Sequence, residues 1–204
     1  MSAPRVAALL LAASAAFAGC RVGGAEATPF RGAAPKTILI WPTVAAPFAA
    51  QQPVLLTGLD LAVRRRGHVV IATAVARQLL GDAGVPLDPA EGPHGEQLFR
   101  ATGADAVLRL IVRAFRVQGE RLQRADWDLD WELRATATGA VLWQFSHHGH
   151  WERRVPIEQH PHPRSEEDQP PVLFGDREPD FRDASDLAAW LHRFAMERLP
   201  RGGA

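Results

Sequence analysis

The sequence predicts an α/β protein with a mixed β-sheet and helices packed on it. Two short apolar runs, residues 37–41 and 68–71, are separated by a helical pattern, which is typical of parallel strands joined by a helix. Longer segments of alternating polarity follow from residue 106, separated by short turns, which is typical of antiparallel hairpins. The predicted element order is βαβααβββα, and 204 residues suffice for one such domain.

Composition excludes several functional classes. The chain has 23 basic and 23 acidic residues, so it lacks the positive charge expected of a nucleic-acid-binding protein. It has one cysteine, which excludes an intramolecular disulfide and a four-thiolate metal site. No nucleophile-elbow or phosphate-loop pattern is present. Ser146 and His147 are neighbours in the sequence, which does not make them part of a catalytic triad. We therefore predict that the protein is not an enzyme.

Residues 1–19 are predicted to be a signal peptide. One positive charge, at Arg5, precedes an apolar run over residues 6–18, which is shorter than the roughly 20 residues needed to span a bilayer. Ala18 and Gly19 stand directly before Cys20, and this arrangement resembles a bacterial lipobox, although Phe17 occupies a position where that pattern favours Leu. The alternatives are an ordinary signal peptide with an incidental cysteine, or a buried core cysteine.

The lipobox resemblance implies that Cys20 is acylated and anchors the protein in a membrane. Acyl chains on one residue give stable anchoring, because each buried methylene contributes about 0.8 kcal/mol. Arg21 follows the cysteine, whereas Asp at that position is the enteric inner-membrane retention signal, so the resemblance favours the periplasmic side of a Gram-negative outer membrane. We expect no cofactor other than this covalent lipid.

After the anchor, the predicted elements follow in order. Residues 20–35 are rich in Gly and Pro and are predicted to be a flexible tether, and residues 36–146 to be the α/β core. Pro42 ends the first strand, a loop covers residues 44–52, and a helix covers 53–66 and stops at Gly67. Thr73 is predicted to cap the second helix, whose apolar face carries Val75, Leu79 and Leu80. A third helix over residues 95–102 is expected to turn Leu98 and Phe99 inward.

Three long strands and a helix complete the chain. The first strand is expected to bury Leu108, Leu110, Val112 and Ala114; the second, Trp127, Leu129, Trp131, Leu133 and Ala135; the third, after a turn at Thr138 and Gly139, Val141, Trp143 and Phe145. Residues 147–183 are predicted to be a His- and Pro-rich loop. A helix over residues 184–199 is expected to pack on the sheet through Leu187, Trp190, Leu191, Phe194 and Leu199, although these residues could instead form a partner-binding stripe.

An acidic row shares the other face of the second long strand. It consists of Asp126, Asp128, Asp130 and Glu132, a pattern that suggests a calcium or magnesium site. Arg109 and Arg113 alternate on the preceding strand, and antiparallel pairing would bring them to these carboxylates. We favour the interpretation that the row is a set of structural cross-strand ion pairs.

Five histidines lie within sixteen residues near acidic side chains. Imidazole and carboxylate suit zinc, copper or nickel, so these histidines are a candidate metal site. No compact His-x3-His pattern is present, and Pro-rich loops rarely preorganise a site, so we favour a solvated polar loop. The five residues are His147, His148, His150, His160 and His162.

Four short segments, in their order along the chain, resemble one family of proteins. They are residues 37–42, 67–70, 103–108 and 136–143. This family of bacterial lipoproteins of unknown function is related in fold to the curli-secretion lipoprotein CsgG, the polysaccharide-export lipoprotein PelC and the amino-terminal domain of TolB. The resemblance covers residues 36–146 and implies an α/β domain with a mixed sheet. It carries no catalytic residues.

The resemblance also implies an accessory role in an envelope assembly or secretion system. The expected partners are the membrane, other envelope proteins or further copies of the chain, with no nucleic acid. The alternative function is that of a periplasmic metal-binding lipoprotein that uses the histidines. No transmembrane β-hairpin pattern of the curli-pore type is visible in the sequence.

Overall fold

A single six-stranded mixed sheet organises the domain. A computed structural model describes residues 24–44, 46–85, 96–119, 121–153 and 180–202. The strands lie in the order β1-β6-β5-β4-β2-β3, with β2 parallel to both β3 and β4 and the other pairs antiparallel. They are β1 (Ala25–Ala27), β2 (Thr37–Thr43), β3 (Val69–Ile71), β4 (Ala106–Gln118), β5 (Arg124–Ala135) and β6 (Val141–Glu152). The predicted fold class and element order are confirmed, with β1 and a divided first helix as additions.

Helices cover the two faces of the sheet unequally. One face carries the main core under α1 (Gln52–Leu55), α2 (Leu59–Arg64) and α5 (Ala184–Met196). The other face carries a smaller core under α3 (Thr73–Asp82) and α4 (Glu96–Thr102), centred on Leu39, Trp41 and Val107. Because α3 and α4 pack beside β2 and β4, this face is polar where it continues across β5 and β6.

The predicted single helix over residues 53–66 is wrong. A 3₁₀ helix occupies Ala46–Gln51, where a loop was expected, and α1 and α2 are separated at Gly58. Gly58 has φ of 78°, and this left-handed conformation ends one helix and begins the next. Apolar spacing alone could not reveal the break, because the buried side chains on both sides of it still face the same core.

Predicted side-chain roles in α3, α4 and β4 are also wrong. Thr73 does not cap α3, whose N-cap is Ala72; its hydroxyl instead donates to the Ile40 carbonyl at 2.7 Å and ties the helix to β2. On α3 and α4, the structure buries Ala76, Leu80 and Leu98, and leaves Val75, Leu79 and Phe99 exposed. In β4, a bulge between Val112 and Ala114 shifts the alternation, so that Phe115 enters the core in place of Ala114.

The predicted flexible tether is partly ordered. Ala25, Glu26 and Ala27 pair with β6, and the backbone N–H of Arg31 donates to the Leu142 carbonyl at 2.9 Å. The three-residue strand has little intrinsic β preference and exists because the edge of β6 offers it backbone partners. Within residues 20–35, residues 20–23 lie outside the described part of the chain.

The predicted loop over residues 147–183 begins too early. Strand β6 continues through Glu152, because His147 and Trp151 bury their side chains in the core. Residues 154–179 lie outside the described part of the chain. Helix α5 then starts at the N-cap Asp183, whose carboxylate accepts from the N–H groups of Ser185 and Asp186. No helix of the described residues is long and apolar enough to cross a bilayer.

Candidate functional site

The described histidines of the predicted cluster divide between the two faces of β6. His147 faces the core and is completely buried, whereas His148 and His150 lie on the polar face. Adjacent residues of a strand point to opposite sides, so His147 cannot share a metal ion with its neighbour. For the same reason Ser146 and His147 do not face one another. The described residues contain no group of three or more side chains arranged for a metal, and His160 and His162 lie outside them.

His147 belongs to an aromatic cluster. Its Nδ1 accepts a hydrogen bond from Nε1 of Trp127 at 3.0 Å, which leaves the proton of the neutral ring on Nε2. The ring packs against Phe194 at a centroid distance of 5.0 Å and against Phe145 at 6.2 Å. Burial lowers the pKa of His147 to about 4, helped by the nearby positive charges of His148 and Arg198. His147 is therefore a neutral core residue.

A second tryptophan–histidine pair lies beside the first, and the sequence analysis missed it. His192 of α5 is completely buried, and its Nδ1 accepts from Nε1 of Trp131 at 3.1 Å. Its Nε2 donates to the Leu55 carbonyl at 2.6 Å, which supplies a partner to the carbonyl at the end of α1. Burial lowers the pKa of His192 to about 4, although the bond to Leu55 acts in the opposite direction. A histidine between Leu191 and Phe194 of an apolar helical stripe was the only available signal.

On the polar face, His150 joins a small charged group. Its Nδ1 lies 2.7 Å from Oδ1 of Asp126, and its Nε2 lies 3.8 Å from Oε2 of Glu152. The hydrogen bond from His150 lowers the pKa of Asp126, and the guanidinium of Arg124 lowers it further. These groups lie at the exposed end of the sheet, where an imidazole, two carboxylates and a guanidinium are within contact distance of one another.

Three members of the acidic row, Asp126, Asp130 and Glu132, contact arginines, as predicted for structural ion pairs. Arg109 lies opposite Glu132 in the β4–β5 register, and its Nη1 is 3.3 Å from Oε1 of that residue. Arg134 also contacts Glu132, at 2.6 Å, which raises the pKa of the Arg134 guanidinium through this hydrogen bond. The cross-strand pair of Arg109 and Glu132 supports the register of β4 against β5 on the part of this face that α3 and α4 leave uncovered.

Asp130 is the most buried member of the row. Its side chain is 2% exposed, and Nη2 of Arg113 lies 2.6 Å from its Oδ2. Arg113 itself is 61% exposed, so one surface arginine compensates a buried carboxylate. This imbalance makes the arginine more important for stability than most surface ion-pair partners.

Replacing Arg113 with Ala should therefore lower the free energy of unfolding by about 1–3 kcal/mol, because it leaves a buried carboxylate unpaired. Chemical denaturation measures the change. Arg116→Ala is the matched control, since Arg116 is exposed and has no ion-pair partner among the described residues. Adding Asp130→Asn should recover part of the loss, and equal effects of Arg113→Ala and Arg116→Ala would contradict the assignment.

A shallow pocket of about 350 Å³ opens beside this row at the β1 edge. Glu26, Ala27, Thr28, Gln144 and Ser146 line it. Its one ionisable group is a glutamate on an edge strand, without a neighbouring base or nucleophile in the lining, so the pocket carries no recognisable chemistry of its own.

Comparison with known proteins gives structural similarity without a sequence family. No protein-family model and no curated protein matches the chain. A single-substitution variant of the PelC dodecamer from Paraburkholderia phytofirmans matches with a TM-score of 0.50 and 15% identity, over 87% of this chain and 98% of that chain. This chain has the fold of PelC. A second crystal form of that dodecamer gives a TM-score of 0.49 at 15% identity, over 87% of this chain and 99% of that one.

A third solved structure is also similar. Lipoprotein GNA1162 from Neisseria meningitidis gives a TM-score of 0.46 at 21% identity, over 58% of this chain and 84% of that chain. The predicted relation in fold is thus confirmed for PelC, and the relation to CsgG and to the TolB amino-terminal domain stays a prediction. At these identities the similarity to PelC shows the fold alone.

Proposed function

We propose that the protein is a lipid-anchored, periplasm-facing accessory component of the bacterial cell envelope, without enzymatic activity. The observation that carries the proposal is the position of Cys20, the one cysteine, directly after Ala18 and Gly19 at the end of an apolar run. The fold shared with PelC supports an envelope role.

The partners of this function are the membrane, envelope proteins and further copies of the chain. PelC forms a dodecamer, which supports self-assembly of a chain with the same fold. On the polar sheet face, Asp130 and Glu132 are engaged in ion pairs with arginines, as in a structural surface. Crosslinking in intact cells, followed by mass spectrometry, tests this part directly: ladders of the chain itself support self-assembly, and their absence contradicts it.

The anchor is tested by substitution. Replacing Cys20 with Ala should move the protein from the membrane to the soluble fraction and abolish incorporation of labelled palmitate, because the acyl chains supply the membrane affinity. Cell fractionation and metabolic labelling measure both effects. Phe17→Leu, which brings the preceding residues closer to the lipobox pattern, is the control that keeps anchoring. Membrane retention of the alanine variant would contradict the proposal.

A further inference from the structure

The amino-terminal segment is attached to one end of the sheet. The backbone N–H of Gly24 lies 3.2 Å from Nε2 of His148, and the N–H of His148 donates to the Gly24 carbonyl at 3.3 Å. The register continues with Ala25 opposite His147. Strand β1 is antiparallel to β6. Followed backwards from Gly24, the chain therefore leaves the sheet beside His148, at the end of the sheet where β6 ends.

The distance from this attachment to Cys20 is short. Three residues lie between Gly24 and Cys20, and these four residue steps span at most about 14 Å when the chain is fully extended. The distance along β6 from His148 to Glu152 is also four residues, or about 14 Å. Glu152 pairs with Arg124, which in turn pairs with Gln118. Cys20 can therefore reach the level of the turn between β4 and β5, but it cannot hold the domain far from a bilayer.

The end of the sheet nearest this anchor exposes arginines. Arg116 lies near the end of β4, Arg121 lies in the connection beside Glu120, and Arg124 begins β5. Arg124 is 3.5 Å from Asp126, whereas Arg116 and Arg121 are exposed and have no carboxylate partner among the described residues. Exposed arginines within a Debye length of an anionic leaflet are attracted to its headgroups.

We propose that the turn between β4 and β5 rests on the membrane, with Arg116 and Arg121 against the phosphates of anionic lipid headgroups. The proposal depends on acylation of Cys20, as proposed above. It assigns the sheet a direction: strands β4, β5 and β6 stand with this end towards the bilayer and with the Thr138 turn pointing away. Strand β5 has 12 residues, so the two ends are about 40 Å apart.

The test uses the full acylated chain in vesicles of phosphatidylethanolamine and phosphatidylglycerol. A polarity-sensitive fluorophore is attached at Arg121→Cys or, as the matched control, at Ala137→Cys, which is exposed in the turn at the opposite end. Lipids with a headgroup spin label should remove most of the fluorescence at position 121 and leave that at position 137 nearly unchanged. Equal quenching at both positions, or stronger quenching at 137, would overturn the proposed orientation.

A second pair of variants tests the headgroup contact. With the fluorophore attached at Gln118→Cys, Arg116→Glu combined with Arg121→Glu should reduce quenching in the same vesicles, whereas Arg65→Glu, at the opposite end of the sheet, should not. Unchanged quenching in the double variant would overturn the assignment of these arginines. Mass spectrometry of the Cys20 peptide is recorded for every sample: a peptide without acyl chains refutes the proposed anchoring, whereas an acylated protein that fails the quenching test refutes the orientation alone.

Discussion

Lowering the pH from 7 to 4 should remove about 3 kcal/mol of folding free energy through His192 alone. The pKa of this buried ring falls from 6.5 to about 4 on folding, and one pKa unit corresponds to about 1.4 kcal/mol. Between pH 6.5 and pH 4 the unfolded chain binds a proton that the folded chain does not. The free energy of unfolding therefore decreases as the pH is lowered through this range. The contribution is fully present above pH 6.5 and is lost as the pH approaches 4.

The contacts of His192 explain why the folded state excludes the proton. Nδ1 accepts a hydrogen bond from the indole N–H of Trp131. A proton on Nδ1 would remove this acceptor and place the imidazole N–H against the indole N–H. Denaturation at a series of pH values measures the effect. His192→Gln keeps a polar side chain but does not titrate, so its stability should depend less steeply on pH between 4 and 6.5. Parallel pH profiles for the two proteins would contradict the assignment, and the comparison cancels the contributions of His147 and the carboxylates.

The two tryptophan–histidine pairs also show what the sequence could predict. Alternation along β5 correctly placed Trp127, Leu129, Trp131 and Leu133 in the core, because successive side chains of a strand point to opposite faces and only one face of β5 packs on the main core. The histidines were harder to place. A buried imidazole needs a hydrogen-bond partner, and here that partner is an indole N–H on another element. Local sequence does not indicate which residues of two strands, or of a strand and a helix, lie within hydrogen-bond distance.

The elements that sequence analysis missed depend on tertiary contacts. Strand β1 needs the edge of β6, and the break at Gly58 needs a left-handed residue where the helix pattern continues on both sides. The arginine–carboxylate pairing of Arg109 with Glu132 was predictable, since register follows from two adjacent strands and a short turn. The docking of Gly24 on His148 was not, because it joins residues 124 positions apart.

Gly149 lies in the part of strand β6 where a loop was predicted. It lies opposite Trp127 in the β5–β6 register, and the indole occupies the space beside its Cα. A Cβ added at this position would lie 2.5 Å from Cζ2 and 2.8 Å from Cε2 of Trp127. The indole cannot move away easily, because its Nε1 is bonded to Nδ1 of His147 at 3.0 Å. Glycine in this strand therefore makes room for a core side chain.

Replacing Gly149 with Ala should lower the free energy of unfolding by about 3 kcal/mol, because the added methyl overpacks a rigid part of the core. Gly81→Ala is the matched control: Gly81 lies in α3 with nothing within 4 Å of an added Cβ, so the substitution should stabilise the protein by up to about 1 kcal/mol. Denaturant titration of both variants measures these opposite changes.

A double-mutant cycle separates the clash from a general intolerance of β6 to substitution. Trp127→Phe removes the atoms that the methyl would meet, at the expense of the bond to His147. Gly149→Ala should therefore cost less in the Trp127→Phe background than in the natural chain, with a coupling free energy of about 1 kcal/mol or more. Additive effects would show that the indole is not what excludes a side chain from position 149.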